Sequence, residues 1–404
     1  MIALEVAAGC DPSEHLQQAW SRGERVLLLA KSAPDAARAQ LLAASGAREV
    51  VDGTKPAPAR ASSAVRPLLD PRDFAPSAGV VLATSGSSGV PRLVDIGLDA
   101  LVASARLGAR VIAFGEGDAW HASLAPTHIG GLMIFVRAMA LGGVVRAGAQ
   151  PRAWSDLDGA THVSLVAAQL ARLLEDPAPP PRSLKAVMLG GGPSAQPLRD
   201  AAIASGIPLF ATYGLTETSS QVATGALALG DAATLAGAAL PGVSIAIDAT
   251  NSEIVINGPT LARGEIIDGA LVPLAHPLRT RDAGFLDERG RLHVIGRLDS
   301  MFISGGKNIH PETIERALAS IAEVRSSCVI GVPHEKWGAR PVAFVDLASQ
   351  PARALGDQLR AVLEPHLVPD AILAMPADEA AAMKPSRARL SARVAAGERF
   401  AEIS

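Results

Sequence analysis

The chain has 404 residues, 49% of them hydrophobic, and a formal net charge of −3 at pH 7. It is therefore globular, is long enough for two or three domains, and gives no electrostatic reason to expect nucleic acid or an anionic membrane as partner. Aromatic residues make up only 3%, so alanine, leucine and valine must do most of the packing.

Cys10 and Cys328 stand too far from other cysteines to form a disulfide framework or a metal cluster, and each reads as a small buried hydrophobe. The first residues include Glu5, Asp11 and Glu14 and lack the basic-then-apolar pattern of a signal peptide. The longest apolar stretch, 129–145, is broken by Arg137 and falls short of the ~20 residues that span a bilayer. A cytoplasmic protein with no membrane insertion is expected.

In chain order, residues 24–52 read as a βαβ start: a buried strand at 25–30, a helix at 35–45 and a short strand at 49–51. Residues 53–79 are rich in proline, alanine and serine and are expected to wrap the surface. Then Val80-Val81-Leu82-Ala83 runs into Thr84-Ser85-Gly86-Ser87-Ser88-Gly89-Val90-Pro91-Arg92. A loop of small residues after a buried strand suits phosphate oxygens, because glycine lets the backbone approach and the hydroxyls add donors. In isolation it could equally be a Ser/Gly linker. The spacing fits neither a Walker A loop nor G-x-G-x-x-G.

A helix is expected over 99–114, and then a strand leads through Pro126 into a His128-Ile129-Gly130-Gly131 turn and an apolar helix. A lone histidine is more often structural, but a strand-to-helix turn is where α/β folds bind ligands. Residues 160–212 alternate strand and helix, with Gly190-Gly191-Gly192-Pro193 closing the strand at 186–189. This alternation predicts a mostly parallel sheet covered on both faces, with three small-residue turns along one edge. The strand at 207–212 feeds Tyr213-Gly214-Leu215-Thr216-Glu217, in which an acid among hydroxyls could hold Mg²⁺ or simply open a capped helix. Short strands follow at 243–247, 253–256 and 269–274, then a hairpin around 288–291 with Asp282, Arg297 and Asp299 at its ends. Residues 300–404 read as a small α+β unit with helices near 311–321 and 352–366 and strands at 327–331 and 341–346.

Four of these segments stand in the order seen in one enzyme superfamily: Thr84 to Pro91, Tyr213 to Glu217, Arg297-Leu298-Asp299 with Ser304-Gly305-Gly306-Lys307-Asn308-Ile309-His310-Pro311-Glu312, and a late Lys384 in Met383-Lys384-Pro385. From about residue 79 onward the chain resembles the adenylate-forming superfamily of acyl- and aryl-CoA synthetases, luciferases and peptide-synthetase adenylation domains. Within it, Pro126 to Leu132, Gly190 to Pro193, Thr212 to Gln221 and Trp337 to Val345 are most similar to o-succinylbenzoate–CoA ligases of menaquinone biosynthesis.

The resemblance implies an α/β fold: a large N-terminal domain (1–298) of mostly parallel sheets flanked by helices plus a β-rich subdomain, and a small mobile α+β C-terminal domain (299–404) hinged at Asp299. It implies an ATP-dependent, AMP-forming acid–CoA ligase using ATP, Mg²⁺ and CoA with a small carboxylic acid, and a homodimer by analogy with relatives. Thr84, Ser85, Gly86, Ser87, Ser88 and Gly89 would hold the β- and γ-phosphates. Gly190, Gly191, Gly192 and Tyr213 would frame the adenine, and Asp282 with Arg297 would bind the ribose. Thr216 would contact the α-phosphate, Glu217 would bind Mg²⁺, and His128 would line the acyl pocket. Lys384 would complete the adenylation site, and Gly305, Gly306 and Lys307 would serve the CoA step.

Arg137 and the polar run Thr218 to Gln221 are candidates for a second carboxylate on the acid. Departures from the family are Arg92 for a lysine, Arg281 and Met383 for glycines, and a short region before the loop. Two other readings stay open: a secondary-metabolite adenylation enzyme with CoA or a carrier protein as acceptor, and a non-catalytic nucleotide-binding relative.

Overall fold

The structure is a computed structural model that describes residues 1–7, 10–54, 68–84, 91–146, 148, 150–380 and 385–403. Among these residues the strands assemble into sheets of seven, eleven and five strands. The seven-stranded sheet runs Ala270–Pro273, Gly264–Ile267, Arg92–Gly97, Gly79–Thr84, Arg25–Ala30, Ile2–Val6, Val50–Asp52. Its last four strands are parallel and its first four antiparallel, with Gly79–Thr84 shared by the two halves.

The eleven-stranded sheet is divided in the same way. Val144–Arg146, Ala119–His121, His162–Leu165, Ala186–Leu189 and Leu209–Leu215 are parallel. Ser220–Ala226, Leu235–Ala239, Arg291–Arg297, Leu278–Leu286, Glu253–Asn257 and Ser244–Ile247 extend it antiparallel. The β-rich stretch expected after residue 237 thus supplies antiparallel strands to both sheets.

One apolar helix explains how the two sheets are held together. Ile129–Leu141 places Leu132, Met133 and Val136 in the core of the seven-stranded sheet. It places Ile134 and Phe135 against Trp120 and Met188 of the other sheet. A helix that is hydrophobic on most sides is one that is buried on most sides. Burying each such side chain contributes ~1.5–3 kcal/mol. Trp20, fully buried in helix Ser13–Ser21, donates its indole N–H to the Gly79 carbonyl at 3.0 Å and pins that helix to the start of the loop strand.

Two expectations change. Strand Val50–Asp52 does not pair with Arg25–Ala30, because Ile2–Val6 lies between them and pairs with both. The three small-residue turns do not follow strands of one sheet: the strand ending at Thr84 belongs to the seven-stranded sheet, whereas those ending at His121 and Leu189 belong to the eleven-stranded one.

The five-stranded sheet lies wholly after residue 301, with Val324–His334 and Gly338–Leu347 as a long hairpin and Ala371–Ala374 parallel beside it. Helix Pro311–Ala319 packs on this sheet through Ile314 and Leu318, both fully buried. Among the described residues no helix is long and apolar enough to cross a membrane.

Candidate active site

The strand Leu209–Leu215 carries Tyr213 to the centre of a polar cluster. Tyr213 donates its hydroxyl to Asp282 Oδ2 at 2.6 Å, and Arg297 Nη1 lies 3.1 Å from Asp282 Oδ1. Asp282 and Arg297 are direct partners in the hairpin register, so the ladder itself sets their distance. The Asp282 amide also donates to Thr280 Oγ1 at 3.1 Å. Burial raises the Asp282 carboxyl above its usual range, while Tyr213 and Arg297 pull the other way. Burial, with the Asp282 charge beside it, pushes the Tyr213 phenol well up.

Arg297 continues the cluster toward the next segment, donating to Asp299 Oδ2 at 3.2 Å, and Arg281 Nη1 lies 3.6 Å from Asp299 Oδ1. Arg281 sits at φ +59°, left-handed for a residue with a Cβ. Its amide and carbonyl are both engaged, with Glu253 Oε1 and the Leu298 amide.

The turn expected to frame the adenine lies beside this cluster. A Cβ on Gly190 would come within 2.7 Å of Thr212 Cγ2, so the turn packs closely on the residue before Tyr213. Gly191 adopts φ +79° and both Gly191 and Gly192 are exposed.

After Tyr213 the chain makes a tight turn. A Cβ on Gly214 would stand 1.7 Å from the Ser220 carbonyl, which only glycine avoids. Thr216–Thr218 forms one 3₁₀ turn, and Ser219 and Ser220 follow at φ +52° and +86°. Left-handed residues with side chains cost roughly 1–2 kcal/mol each and persist where surroundings over-determine them. Here Ser219 Oγ donates to the Thr260 carbonyl and Ser104 Oγ to the Ser219 carbonyl, both at 2.7 Å. The Glu217 carbonyl accepts from the Ala262 amide at 2.8 Å.

The Glu217 carboxylate faces Arg92, whose Nη2 donates to Glu217 Oε1 at 3.0 Å while Nη1 donates to Glu265 Oε1 at 2.7 Å. Thr84 is opposite Arg92 in the strand register. Among the described residues there is no group of three or more His, Cys, Asp or Glu able to hold a metal. One carboxylate with neighbouring hydroxyls fits Mg²⁺ that keeps waters and binds chiefly through phosphate oxygens, rather than a resident ion in a protein cage.

His128 is the exposed N-cap of helix Ile129–Leu141. Nine residues on, Arg137 is buried, donates to Gln221 Oε1 at 2.8 Å and lies 4.9 Å from the Trp120 ring centroid. It does not end a helix face; it lines a small cavity with Gly108, Phe114, Trp120, Met188 and Gln221. Burial lowers its pKa to about 10, so it stays charged near neutrality, and among the described residues its hydrogen-bond partner is the neutral Gln221 amide.

Gly305 and Gly306 are left-handed, at φ +55° and +81°. The Gly305 amide donates to the Trp337 carbonyl at 2.9 Å, and nothing lies within 4 Å of where a Gly306 Cβ would be. Lys307 is tied to Glu364 and His366 at 3.5 and 3.4 Å and makes no hydrogen bond to the Tyr213–Asp282–Arg297 cluster. Ser85, Gly86, Ser87, Ser88, Gly89 and Lys384 lie outside the described residues. Sequence reasoning missed Glu265, for which the only signal was an acid inside the short apolar strand Gly264–Ile267.

The comparisons with known proteins give the family. A family model described as AMP-binding enzyme matches residues 11–267, and one described as AMP-binding enzyme C-terminal domain matches 313–381. The chain is 38% identical over 270 residues to a 2-succinylbenzoate–CoA ligase of Salmonella typhimurium, a match that takes in 66% of this chain and 58% of that relative's length. It is similar to the solved o-succinylbenzoate CoA synthetase (MenE) of Bacillus subtilis in complex with OSB-AMP, with 26% identity, a TM-score of 0.81, and coverage of 96% of this chain and 87% of that one. The same Bacillus subtilis enzyme in complex with ATP and magnesium ion gives 25% identity, a TM-score of 0.78, and coverage of 93% and 85%. The chain belongs to the AMP-binding, adenylate-forming enzyme family and is most like its o-succinylbenzoate–CoA ligases.

Proposed function

We propose that the protein is an ATP-dependent acid–CoA ligase that forms an acyl-adenylate and then a CoA thioester, with o-succinylbenzoate as the acid. The observation that carries this is the Tyr213–Asp282–Arg297 cluster, a nucleoside end, whose Tyr213 stands on the strand that leads within four residues to Glu217, a phosphate end, in the 3₁₀ turn Thr216–Thr218. In the first half-reaction a carboxylate oxygen of the acid attacks the α-phosphorus, and the bond to the pyrophosphate oxygen breaks. In the second, the CoA sulfur attacks the acyl carbonyl and AMP leaves.

This chain's residues divide the work. Ionised Asp282 accepts hydrogen bonds from the ribose hydroxyls and is itself oriented by Tyr213 and Arg297. Thr216 and Lys384 donate to the oxygens of the phosphate under attack, where charge builds. Glu217 would hold Mg²⁺, which supplies charge neutralisation at the phosphates when bound. The loop Thr84 to Gly89 binds the leaving pyrophosphate. The unit after Asp299 carries Lys384 in one orientation and Gly305-Gly306 in the other, and the open face of Gly306 leaves room for the thiol-bearing arm. Both nucleotide and CoA are cytoplasmic metabolites, which favours that location.

The choice of a dicarboxylic acid is supported by Arg137. A buried guanidinium with a neutral amide as its polar partner is costly unless an anion joins it. A second carboxylate on the acid, held by Arg137 and Gln221, would supply that anion. Acid-dependent exchange of pyrophosphate into ATP, followed by a panel of acids with CoA and mass detection of the thioester, tests the reading. A thioester with o-succinylbenzoate is expected. No exchange with any aromatic or acyl acid would overturn it.

A further inference from the structure

We propose that Arg92 is a placeholder cation: braced by Glu265, it occupies the Glu217 carboxylate until a divalent metal arrives on a nucleotide. The idea rests on the reading of Glu217 as the metal-binding carboxylate.

The guanidinium is gripped from two sides, by Glu265 Oε1 at 2.7 Å and Glu217 Oε1 at 3.0 Å. Its position is set by backbone pairing. Arg92 opens the strand Arg92–Gly97, whose Leu93 and Val94 pair with Ile266 and Glu265 of Gly264–Ile267. Glu217 is fixed independently, through its carbonyl to Ala262 and through the serine-locked turn behind it. Three elements distant in sequence therefore place two carboxylates on one fork.

Arginine suits this better than lysine. Its planar guanidinium can donate to two carboxylates through different nitrogens, whereas an ammonium is a single point of charge. The Glu217 side chain is only 12% exposed, so without a counter-charge it would be a partly desolvated anion facing its neighbour Glu265. Arg92 is 45% exposed, so it can turn aside without reopening the core.

The consequence is linkage between metal and nucleotide. A free divalent cation must compete with a guanidinium already in place. A metal arriving with phosphates brings the anionic oxygens that receive Arg92 when it leaves Glu217. Metal and nucleotide then bind as a unit, and the nucleotide-free protein does not collect metal.

The experiment uses Mn²⁺ as the probe, titrated by electron paramagnetic resonance into the full-length protein, first alone and then with the α,β-methylene analogue of ATP, whose α–β linkage cannot be cleaved. The informative variant is the double substitution Arg92→Met with Glu265→Gln. It removes the placeholder while keeping the local charge, since +1 − 2 in the wild type and −1 from Glu217 alone are equal. Mn²⁺ without nucleotide should bind this variant about fivefold more tightly than wild type, the scale of one partly exposed ion pair. Its synergy with the nucleotide should shrink by the same factor.

Unchanged Mn²⁺ affinity in the double variant overturns the proposal. Should that variant not fold, Arg92→Lys carries the same test, with a gain of about twofold expected and no gain overturning it. Glu217→Gln separates the two layers. If it leaves binding of Mn²⁺ with the nucleotide at the wild-type level, the metal assignment of Glu217 has failed. If it weakens that binding while the Arg92 variants match wild type, only the placeholder role has failed.

Discussion

The Tyr213–Asp282–Arg297 cluster, the proposed nucleoside end, and the Arg92–Glu217–Glu265 cluster, the proposed phosphate end, are built for different behaviour. At the first, Asp282 is 7% exposed and held by a phenol, a guanidinium and the hairpin register. At the second, Arg92 is 45% exposed and shared between two glutamates on separate elements. A buried, fully partnered group reproduces one geometry; an exposed, shared cation exchanges partners easily. On the proposed function, the rigid cluster would suit a part of the nucleotide that keeps its place through both half-reactions, and the exchangeable one the part where phosphates and metal come and go.

Four substitutions sharpen or break this contrast. The largest effect is expected from Lys384→Ala, which should slow adenylation by roughly 10²–10³-fold as a missing transition-state donor does. Thioester formation from supplied acyl-adenylate should be retained, and equal loss in both assays would remove Lys384 from its role. Next, Asp282→Asn at the rigid end should weaken AMP binding roughly 10- to 100-fold by calorimetry, since bonds to a charged acceptor are lost.

The same residue sets a pH dependence. Burial raises its carboxyl, so on acidification it takes up its proton, and loses acceptor capacity, at a higher pH than an ordinary aspartate. AMP affinity should fall accordingly, and Asp282→Asn should flatten that profile. For stability the sign is reversed. A raised folded-state pKa favours the fold at low pH, and that contribution is lost as pH rises through it.

Arg137→Met should raise KM for o-succinylbenzoate roughly tenfold or more, through loss of a charged hydrogen bond, and leave monocarboxylic acids little affected. Equal effects on both acids would argue for a packing role. The smallest change is Arg281→Gly. Removing a left-handed Cβ should stabilise the protein by less than about 1 kcal/mol in urea denaturation, because glycine also loosens the unfolded chain. AMP binding should be unchanged, which would place Arg281 outside the nucleoside end.

What the amino-acid sequence reveals about this molecule depends on how far apart the partners are. The alternation over 162–215 is legible because each strand is a short apolar run closed by a turn residue, and the structure places strands and helices within two or three residues of those positions. The strand Ile2–Val6 and the residue Glu265 were both missed for one physical reason. An acid inside a short apolar run looks like a strand ending. In the fold Glu5 is paired with Arg38, 33 residues away, and Glu265 with Arg92, 173 residues away. Spacing cannot reveal such partners. The Tyr213–Asp282 pair, 69 residues apart, was placed in one site by resemblance and not by any property of either segment alone. Arg137 with Gln221 illustrates the intermediate case. Sequence reasoning offers both for one carboxylate, and the structure joins them.

Apart from Arg92–Gly97 and Ser220–Ala226, the strands that extend both large sheets antiparallel come from one stretch of chain. It lays Leu235–Ala239, Ser244–Ile247 and Glu253–Asn257 on the eleven-stranded sheet, crosses to the other for Gly264–Ile267 and Ala270–Pro273, and returns for Leu278–Leu286 and Arg291–Arg297. During synthesis, neither sheet can be finished until this stretch has left the ribosome. Until then Arg92–Gly97 and Ser220–Ala226 present unpaired edges, the feature that invites association between nascent chains. Glu265 and Asp282 arrive with the same stretch. Two residues of the proposed site thus arrive with the strands that close the sheets, which ties completion of that site to completion of the fold.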